Sequence, residues 1–149
     1  PGVSFIKLVC VSSNMYKLIY FAFTLLVSSY AIKLPPELQE YVDELHRICI
    51  AQTGITDADH AAYDIVKNPH DPKLMCYMKC LMIEAKWMNS DGVIQYDFIT
   101  DTIHPDVKDI IVTAINKCRS IPDGENLCQK ASNFNFCLYG ADPVNWYLI

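Results

Sequence analysis

Cys76 and Cys80 are the pair of residues whose type and spacing most directly suggest chemistry. They lie four residues apart in a run, 74–88, that is typical of an amphipathic helix, so both sulfur atoms should lie on one helix face. Thiolates on one face could bind zinc together with histidines, or each could form a disulfide with another segment. They should not bond each other, because helical β-carbons four residues apart are about 5–6 Å from each other and a disulfide needs roughly 3.5–4.5 Å.

The number of cysteines favours disulfides over zinc. The sequence has seven cysteines; Cys10 lies near the start, and the other six are Cys49, Cys76, Cys80, Cys118, Cys128 and Cys137. An even number in a secreted chain is typical of a disulfide framework, which would leave no thiolate for a metal. Six cysteines allow 15 pairings, of which three join Cys76 to Cys80, so that 12 remain. These 12 stay open at this point.

Residues 1–31 have the pattern of a secretory signal peptide. They contain two lysines and no acidic residue, an apolar run at 18–27, and small residues at Ser29 and Ala31. This pattern predicts a signal peptide that starts at Met15 and is cleaved after about Ala31, with 1–14 as upstream sequence. The apolar run is too short to span a bilayer comfortably, and a membrane anchor is the alternative. The domain is then 32–149, and the protein is predicted to be secreted and extracellular.

The charge and the missing motifs exclude several classes of function. Without 1–31 the formal net charge of −5 becomes −7, because two lysines are lost. Such an acidic domain is a poor partner for nucleic acid. No HExxH, Gly-rich phosphate loop or Gly-x-Ser-x-Gly is present, and the turn at 89–92 lacks calcium ligands at its flanks. We expect no enzyme activity, no metal and no cofactor.

The four histidines are the remaining candidates for chemistry. His46 lies one turn before Cys49, on the edge of the buried face of the first predicted helix. His60, His70 and His104 lie near helix starts or turns, and we predict that these three are solvated.

Apolar spacing, prolines and glycines predict six helices and no strand. The first begins at Pro35-Pro36 and ends at Gly54, and the second begins with a capping box, Thr56 with Asp59. The predicted ranges are 35–54, 56–66, 71–88, 96–103, 105–118 and 125–139, followed by an apolar tail at 141–149. The chain is therefore predicted to be all-α with one domain.

The excess of apolar residues suggests a function. Methionines crowd the third helix, and flexible methionine side chains adapt to varied apolar partners. Each disulfide contributes about 2–4 kcal/mol, so stability need not depend on a fully packed centre. This favours a hydrophobic carrier, with a disulfide-stapled inhibitor, defence or structural protein as the alternative.

The full cysteine spacing resembles that of insect odorant-binding proteins, in the general and pheromone-binding branch with a long C-terminal tail. The pattern is Cys49-x26-Cys76-x3-Cys80-x37-Cys118-x9-Cys128-x8-Cys137, and the x3 and x8 intervals are its most diagnostic parts. Local strings add to the resemblance: Leu45-His46-Arg47-Ile48-Cys49, Cys76-Tyr77-Met78-Lys79-Cys80, Gly124-Glu125-Asn126-Leu127-Cys128 and Ala141-Asp142-Pro143.

The resemblance implies a six-helix fold around an internal apolar cavity. It implies the disulfides Cys49–Cys80, Cys76–Cys128 and Cys118–Cys137. The implied function is not enzymatic: the protein would bind small hydrophobic volatiles and carry them through aqueous sensillum lymph to receptors, meeting the receptor or membrane surface only transiently. Homodimers are common in this branch.

The resemblance also implies a set of ligand-binding residues. The wall of the cavity would be formed by Tyr96, Ile99, Thr100, Ile103, Ile111, Val112, Ala114, Ile115 and Phe134, and the lid by Trp146, Tyr147 and Leu148. Asn133 stands where close relatives have a tryptophan that stacks on ligands, and Trp146 replaces a tyrosine.

The last implied feature is a pH latch, which we define as His46, Tyr77 and Ile149. In this branch the terminal carboxylate bonds the matching tyrosine close to the matching histidine. A terminal carboxyl has a reference pKa of about 3.5, and the histidine side chain has one of about 6.5. Acid would therefore neutralise the carboxylate and charge His46 beside the apolar wall, and either change is expected to loosen the tail and release the ligand. In the alternative interpretation, the tail merely packs as an apolar strip.

Overall fold

The computed structural model describes residues 34–149, which contain six α-helices and no β-strand. The helices are α1 Pro36–Thr53, α2 Asp57–Ala62, α3 Pro72–Glu84, α4 Tyr96–Thr102, α5 Pro105–Lys117 and α6 Leu127–Ala141. The prediction of an all-α chain with six helices is therefore confirmed. The predicted start at Met15, the cleavage after Ala31 and Cys10 all lie outside the described residues.

The helix starts follow from local chemistry. Proline occupies the first turn of α1, α3 and α5, where its missing N–H leaves no intrahelical hydrogen bond unmade. The Asp71 carboxylate accepts from the N–H groups of Lys73 and Leu74 at the start of α3. At the start of α6, the Asn126 side chain accepts from the N–H of Gln129. These contacts satisfy N–H groups that have no partner within their helix.

Two helices end earlier than predicted. The second ends at Ala62 rather than Val66, because the Asp64 carboxylate accepts from the N–H groups of Val66 and Lys67 and folds a turn. The third ends at Glu84 rather than Met88, because Lys86 has a positive φ of 61°. The N–H of Lys86 then donates to Ile83 and the N–H of Trp87 to Met82, which is a Schellman ending.

Helix α3 is the centre of the fold. It packs against α1 on one side and α6 on the other, and its Tyr77 and Met78 are fully buried. Two disulfides fix this arrangement. Cys49–Cys80 joins α3 to α1 with a Cα–Cα distance of 5.6 Å, and Cys76–Cys128 joins α3 to α6 with a Cα–Cα distance of 4.5 Å. The third disulfide, Cys118–Cys137, joins the end of α5 to α6 with a Cα–Cα distance of 5.8 Å. These are the pairs that the resemblance implies.

Candidate ligand-binding wall and tail contact

Part of the predicted wall lies in one buried apolar cluster. Ile99 of α4, Ile115 of α5 and Phe134 of α6 are each 0% exposed and belong to it. Tyr96, Ile111 and Leu148 are partly buried and pack against the same cluster. The structure therefore brings together residues from α4, α5, α6 and the tail, and their contact with a ligand stays a prediction.

The other predicted wall and lid residues do not belong to this cluster. Ala114 is buried, whereas Thr100, Ile103, Val112 and Trp146 are half-buried and Tyr147 is 45% exposed. Their contact with a ligand stays a prediction.

The hydroxyl groups of the wall residues predicted on α4 are bonded within the protein. The Thr100 hydroxyl donates to the carbonyl of Tyr96 at 2.9 Å, and the Tyr96 hydroxyl donates to the carbonyl of Cys118 at 2.8 Å. The Tyr96 ring meets the edge of Phe134, and the Arg119 guanidinium lies 5.1 Å from the Tyr96 ring centroid. Hydroxyls that already have partners leave the ring and methyl groups as the surface that a ligand would meet.

Asn133 stands where the family resemblance implies a tryptophan, and it contributes no aromatic ring at that position. Its side-chain amide donates to the carbonyl of Pro122 at 3.0 Å, at the surface. The neighbouring Phe134 is fully buried, so its ring is the aromatic group that this part of α6 contributes to the core.

Helix α6 extends to Ala141, so the tail consists of residues 142–149. It folds back onto the core. The Asp142 carboxylate accepts from the backbone N–H and the side-chain amide of Asn145, and the N–H of Trp146 donates to the carbonyl of Asp142. The Trp146 ring packs edge-on against Tyr139 of α6, with 5.6 Å between centroids. This turn directs Leu148 and Ile149 back to the buried cluster, which they both contact.

The predicted latch residues meet at the end of the tail. The fully buried Tyr77 donates its hydroxyl hydrogen to the main-chain oxygen O of Ile149 at 2.5 Å. Nδ1 of His46 lies 2.5 Å from the same hydroxyl. Burial raises the pKa of the Tyr77 hydroxyl, and the nearby Asp57 carboxylate raises it further. The phenol is therefore neutral at physiological pH and available as a donor.

The prediction that His60 is solvated is wrong. Nε2 of His60 lies 2.9 Å from the same oxygen of Ile149, and its ring lies 4.7 Å from that of His46 and 5.6 Å from that of Tyr77. The only hint in the sequence was the capping box that places His60 directly after Asp59. The Asp59 carboxylate accepts a hydrogen bond of 2.8 Å from the ammonium group of Lys73 on α3. This contact holds α2 beside the latch residues.

The surroundings of His46 also differ from the expectation. Its Nε2 lies 3.2 Å from Oδ1 of Asp57, so a positive charge on the ring would face a carboxylate rather than an apolar wall alone. This ion pair would reduce the desolvation cost of a charged His46 beside the apolar wall.

The remaining two histidines have structural contacts. His70 is exposed, as predicted, but its Nδ1 lies 3.3 Å from the hydroxyl of buried Ser132, which donates to the carbonyl of Pro69. His104 is not simply solvated, because its Nδ1 accepts from the N–H of Asp106 and its Nε2 lies 3.4 Å from Glu37 of α1. His104 thereby connects the start of α5 to the start of α1.

Within 34–149, no group of three or more His, Cys, Asp or Glu side chains is arranged to hold a metal ion. In the same part of the chain, no helix combines the length and apolar character needed to cross a bilayer.

Solved structures share this fold. An odorant-binding protein of Locusta migratoria matches with a TM-score of 0.61 at 22% identity, over 75% of this chain and 87% of that one. Odorant-binding protein 5 of Apis mellifera matches with a TM-score of 0.64 at 19% identity, over 78% of this chain and 98% of that one. Odorant-binding protein 7 of Anopheles gambiae matches with a TM-score of 0.59 at 22% identity, over 74% of this chain and 90% of that one. That protein has four disulfide bridges and was solved in complex with an azo compound. The fold is thus the all-α fold of odorant-binding proteins.

The sequence matches a family model as well. The match covers 32–141, which contains the six paired cysteines and the residues of α1 to α6. By this match over most of its length, the chain belongs to the PBP/GOBP family.

Proposed function

We propose that this protein is a secreted carrier of small hydrophobic volatile molecules, which it binds in an internal apolar cavity closed by the tail. The family and the fold support a carrier rather than an enzyme. The Anopheles gambiae protein was solved in complex with an azo compound, and we expect this chain to bind small organic molecules as well.

The observation that carries the proposal is the joint placement of the wall and the tail. Ile99, Ile115 and Phe134 share one apolar cluster with Leu148 of the tail. A ligand against these side chains would meet only apolar surface, so it would be selected by size and shape more than by hydrogen bonds. Removal of the tail would expose that side of the cluster to water.

The disulfides support the secreted part of the proposal. All six cysteines between 34 and 149 are paired, and disulfides persist in oxidising, extracellular compartments. Transfer of the ligand to a receptor at a membrane, and formation of a homodimer, are further expectations from the family resemblance.

Acid is proposed to release the ligand by neutralising the end of the tail. The family resemblance implies that the Ile149 oxygen bonded by Tyr77 and His60 belongs to a terminal carboxylate. Protonation would remove the charge that strengthens both hydrogen bonds. A terminal carboxyl has a reference pKa of about 3.5, and hydrogen bonds to its charged form lower that pKa, so release should occur below pH 4 rather than at pH 6.

The experiment is displacement of a fluorescent apolar probe by volatile compounds, with the wild-type protein and two variants. Deletion of 146–149 and Tyr77→Phe should both weaken binding at pH 7.5 and reduce the loss of binding between pH 7.5 and pH 3.5. Tyr63→Phe is the control, because Tyr63 is a partly buried tyrosine whose hydroxyl also donates one hydrogen bond, to the carbonyl of Pro69, away from the tail. No saturable site in the wild type would contradict the carrier function and favour a defence or structural protein. Wild-type affinity and pH dependence in both variants would leave the tail with only a packing role.

A further inference from the structure

A groove of about 470 Å³ lies along α3, between the end of α1 and the start of α6. Cys76, Lys79 and Cys80 line it from one face of α3. Gln52 lines it from α1, and Leu127 lines it from α6. None of the wall residues predicted on α4, α5 and α6 borders this groove. One cysteine from each of two disulfides does.

The three disulfides differ in how well the fold protects them. Cys49 and Cys80 are 0% and 5% exposed, and Cys118 of the third bond is 0% exposed. Cys76 and Cys128 are both partly exposed, so theirs is the one bond of the three in which neither cysteine is buried. A thiol exchanges with a disulfide by attack of its thiolate on one sulfur, which requires access to that sulfur. Exposure therefore favours Cys76–Cys128 as the bond that reacts.

Cys80 also borders the groove, but its sulfur is covered. Oε1 of Gln52 lies 3.4 Å from Sγ of Cys80, and Nε2 of Gln52 donates to the Glu84 carboxylate at 2.7 Å. A disulfide sulfur has no hydrogen to donate, so the amide oxygen covers this sulfur without a hydrogen bond to it. Attack there would also release Cys49 as a thiolate within the buried cluster, where a charge is unfavourable. Cys76 is therefore the sulfur that the groove leaves open to attack.

Lys79 places a positive charge beside Cys76. The two residues are three positions apart on α3, so their side chains are neighbours on the helix surface. Within 34–149, no carboxylate lies within ion-pair distance of Lys79. During exchange, negative charge passes from the attacking thiolate to the leaving one. The ammonium group should therefore attract anionic thiols and stabilise that charge as Cys128 leaves.

We propose that Cys76–Cys128 is a modification site at which small anionic thiols add to Cys76. The thiolate of the small molecule attacks Sγ of Cys76, the bond between Cys76 and Cys128 breaks, and Cys128 leaves as a thiolate that takes up a proton from water. The sulfur of the small thiol is oxidised to a mixed disulfide with Cys76, and the sulfur of Cys128 is reduced to a thiol. This inference does not rest on the proposed function.

The modification would divide the covalent frame of the protein. The three disulfides connect the helices in the order α1, α3, α6 and α5, and Cys76–Cys128 is the middle connection. Opening it leaves α1 joined to α3 and α5 joined to α6, and it releases α6, with its buried Phe134, from its crosslink to α3.

The experiment exposes the folded wild-type protein at pH 7.5 to three thiols of different charge. The thiolate of mercaptoethanesulfonate is doubly negative, that of 2-mercaptoethanol is singly negative, and that of cysteamine is neutral overall because of its ammonium group. Each rate is divided by the rate of the same thiol with hydroxyethyl disulfide, an uncharged reference, so that differences in intrinsic reactivity cancel. Acid stops the exchange, N-ethylmaleimide labels the free thiols, and peptide mapping locates both groups.

In the wild type, we expect Cys76–Cys128 to open first, with the added thiol on Cys76 and the label on Cys128. The relative rate should be highest for mercaptoethanesulfonate and lowest for cysteamine.

Lys79→Met tests the charge in the groove. It should slow the relative rate of mercaptoethanesulfonate by about fivefold and change that of cysteamine least. Lys79→Arg keeps the charge and should retain the wild-type order of rates. Lys67→Met is the matched control, because Lys67 is an exposed lysine that does not line the groove, and its loss changes the net charge equally.

Two results would overturn the proposal. Earlier opening of Cys49–Cys80 or Cys118–Cys137, or loss of all three bonds together, would show that access through the groove does not determine the reaction. A wild-type preference for mercaptoethanesulfonate in Lys79→Met would show that Lys79 does not attract it. Absence of a site for apolar ligands, which would contradict the proposed function, would leave these rates as predicted.

Discussion

Tyr77 shows how one side chain can serve both the core and the tail. Its ring is fully buried in the centre of α3, and its hydroxyl is the point where His46 and Ile149 meet. A buried hydroxyl without partners would destabilise the fold, so the tail contact also satisfies a polar atom of the core.

The raised pKa of Tyr77 predicts a loss of stability in alkali. The fold favours the neutral phenol, so its contribution is fully present below the unfolded pKa near about 10 and is lost as pH rises above that value. We expect the unfolding free energy, measured with urea, to fall between pH 9 and pH 10.5. It should fall less in Tyr77→Phe. An equal fall in both proteins would assign the effect to other tyrosines, such as Tyr63, whose pKa is raised to about 12.

Lys86 is a residue where the fold accepts backbone strain. Its positive φ of 61° belongs to the left-handed region, which costs a residue with a β-carbon about 1 kcal/mol. Lys86→Gly should therefore raise the unfolding free energy by about 0.5–1 kcal/mol at pH 7.5. Lys86→Ala is the control, because it removes the lysine but keeps the strain. Equal stability of the two variants would contradict this account.

Helix α2 is the element that links local capping to the tail. It has six residues, none of them buried, so its position depends on contacts at its start. Thr56 and Asp59 form a reciprocal capping box, and Lys73 of α3 donates to the same Asp59 carboxylate. These contacts hold His60 in reach of Ile149.

The low pKa of Asp59, about 2, predicts an acid-dependent loss of this support. The charged carboxylate is favoured by the hydrogen bond from Lys73 first, and then by those from Thr56. Its contribution is present above the unfolded pKa near about 3.9 and is lost as pH falls toward 2. Asp59→Asn should therefore be less stable than wild type at pH 6, with a difference that vanishes by pH 2. Asp101→Asn, at an exposed site of α4, should show no such pH-dependent difference.

The sequence predicted the helix starts better than the helix ends or the site. Starts such as Asp71-Pro72 are set by residues within one turn, which any chain displays locally. The end of α3 depends on a left-handed Lys86, a conformation that lysine does not signal. His60 was missed because its partner, Ile149, lies 89 residues away and reaches it only through the fold of the tail.

At the scale of the whole molecule, two disulfides tie α1 and α6 to the central helix α3, and the third ties the end of α5 to α6. The Cys76–Cys128 bond spans 52 residues and the Cys118–Cys137 bond spans 19. Longer loops lose more entropy when they are closed in the unfolded chain. The bond between α3 and α6 should therefore contribute more to stability than the bond between α5 and α6.

This difference predicts the effect of removing each bond. Replacing both cysteines by alanine should lower the unfolding free energy by about 4 kcal/mol for Cys76–Cys128 and about 3 kcal/mol for Cys118–Cys137. Urea unfolding of the two variants at pH 7.5 measures both values. A larger loss for the shorter loop would show that packing around Cys118, rather than loop entropy, determines the effect.

The most direct test of the central claim, an apolar cavity behind α4, α5, α6 and the tail, is the affinity for a series of straight-chain alcohols. Displacement of a fluorescent apolar probe at pH 7.5 gives the affinity for each chain length. Burial of each added methylene should strengthen binding by about 0.8 kcal/mol, which is about fourfold, until the cavity is full. Ile111→Trp should bring that limit to a shorter chain, while Val144→Trp, at a residue 78% exposed, should leave it unchanged. Affinity that is independent of chain length, or the same limit in Ile111→Trp as in the wild type, would contradict the account.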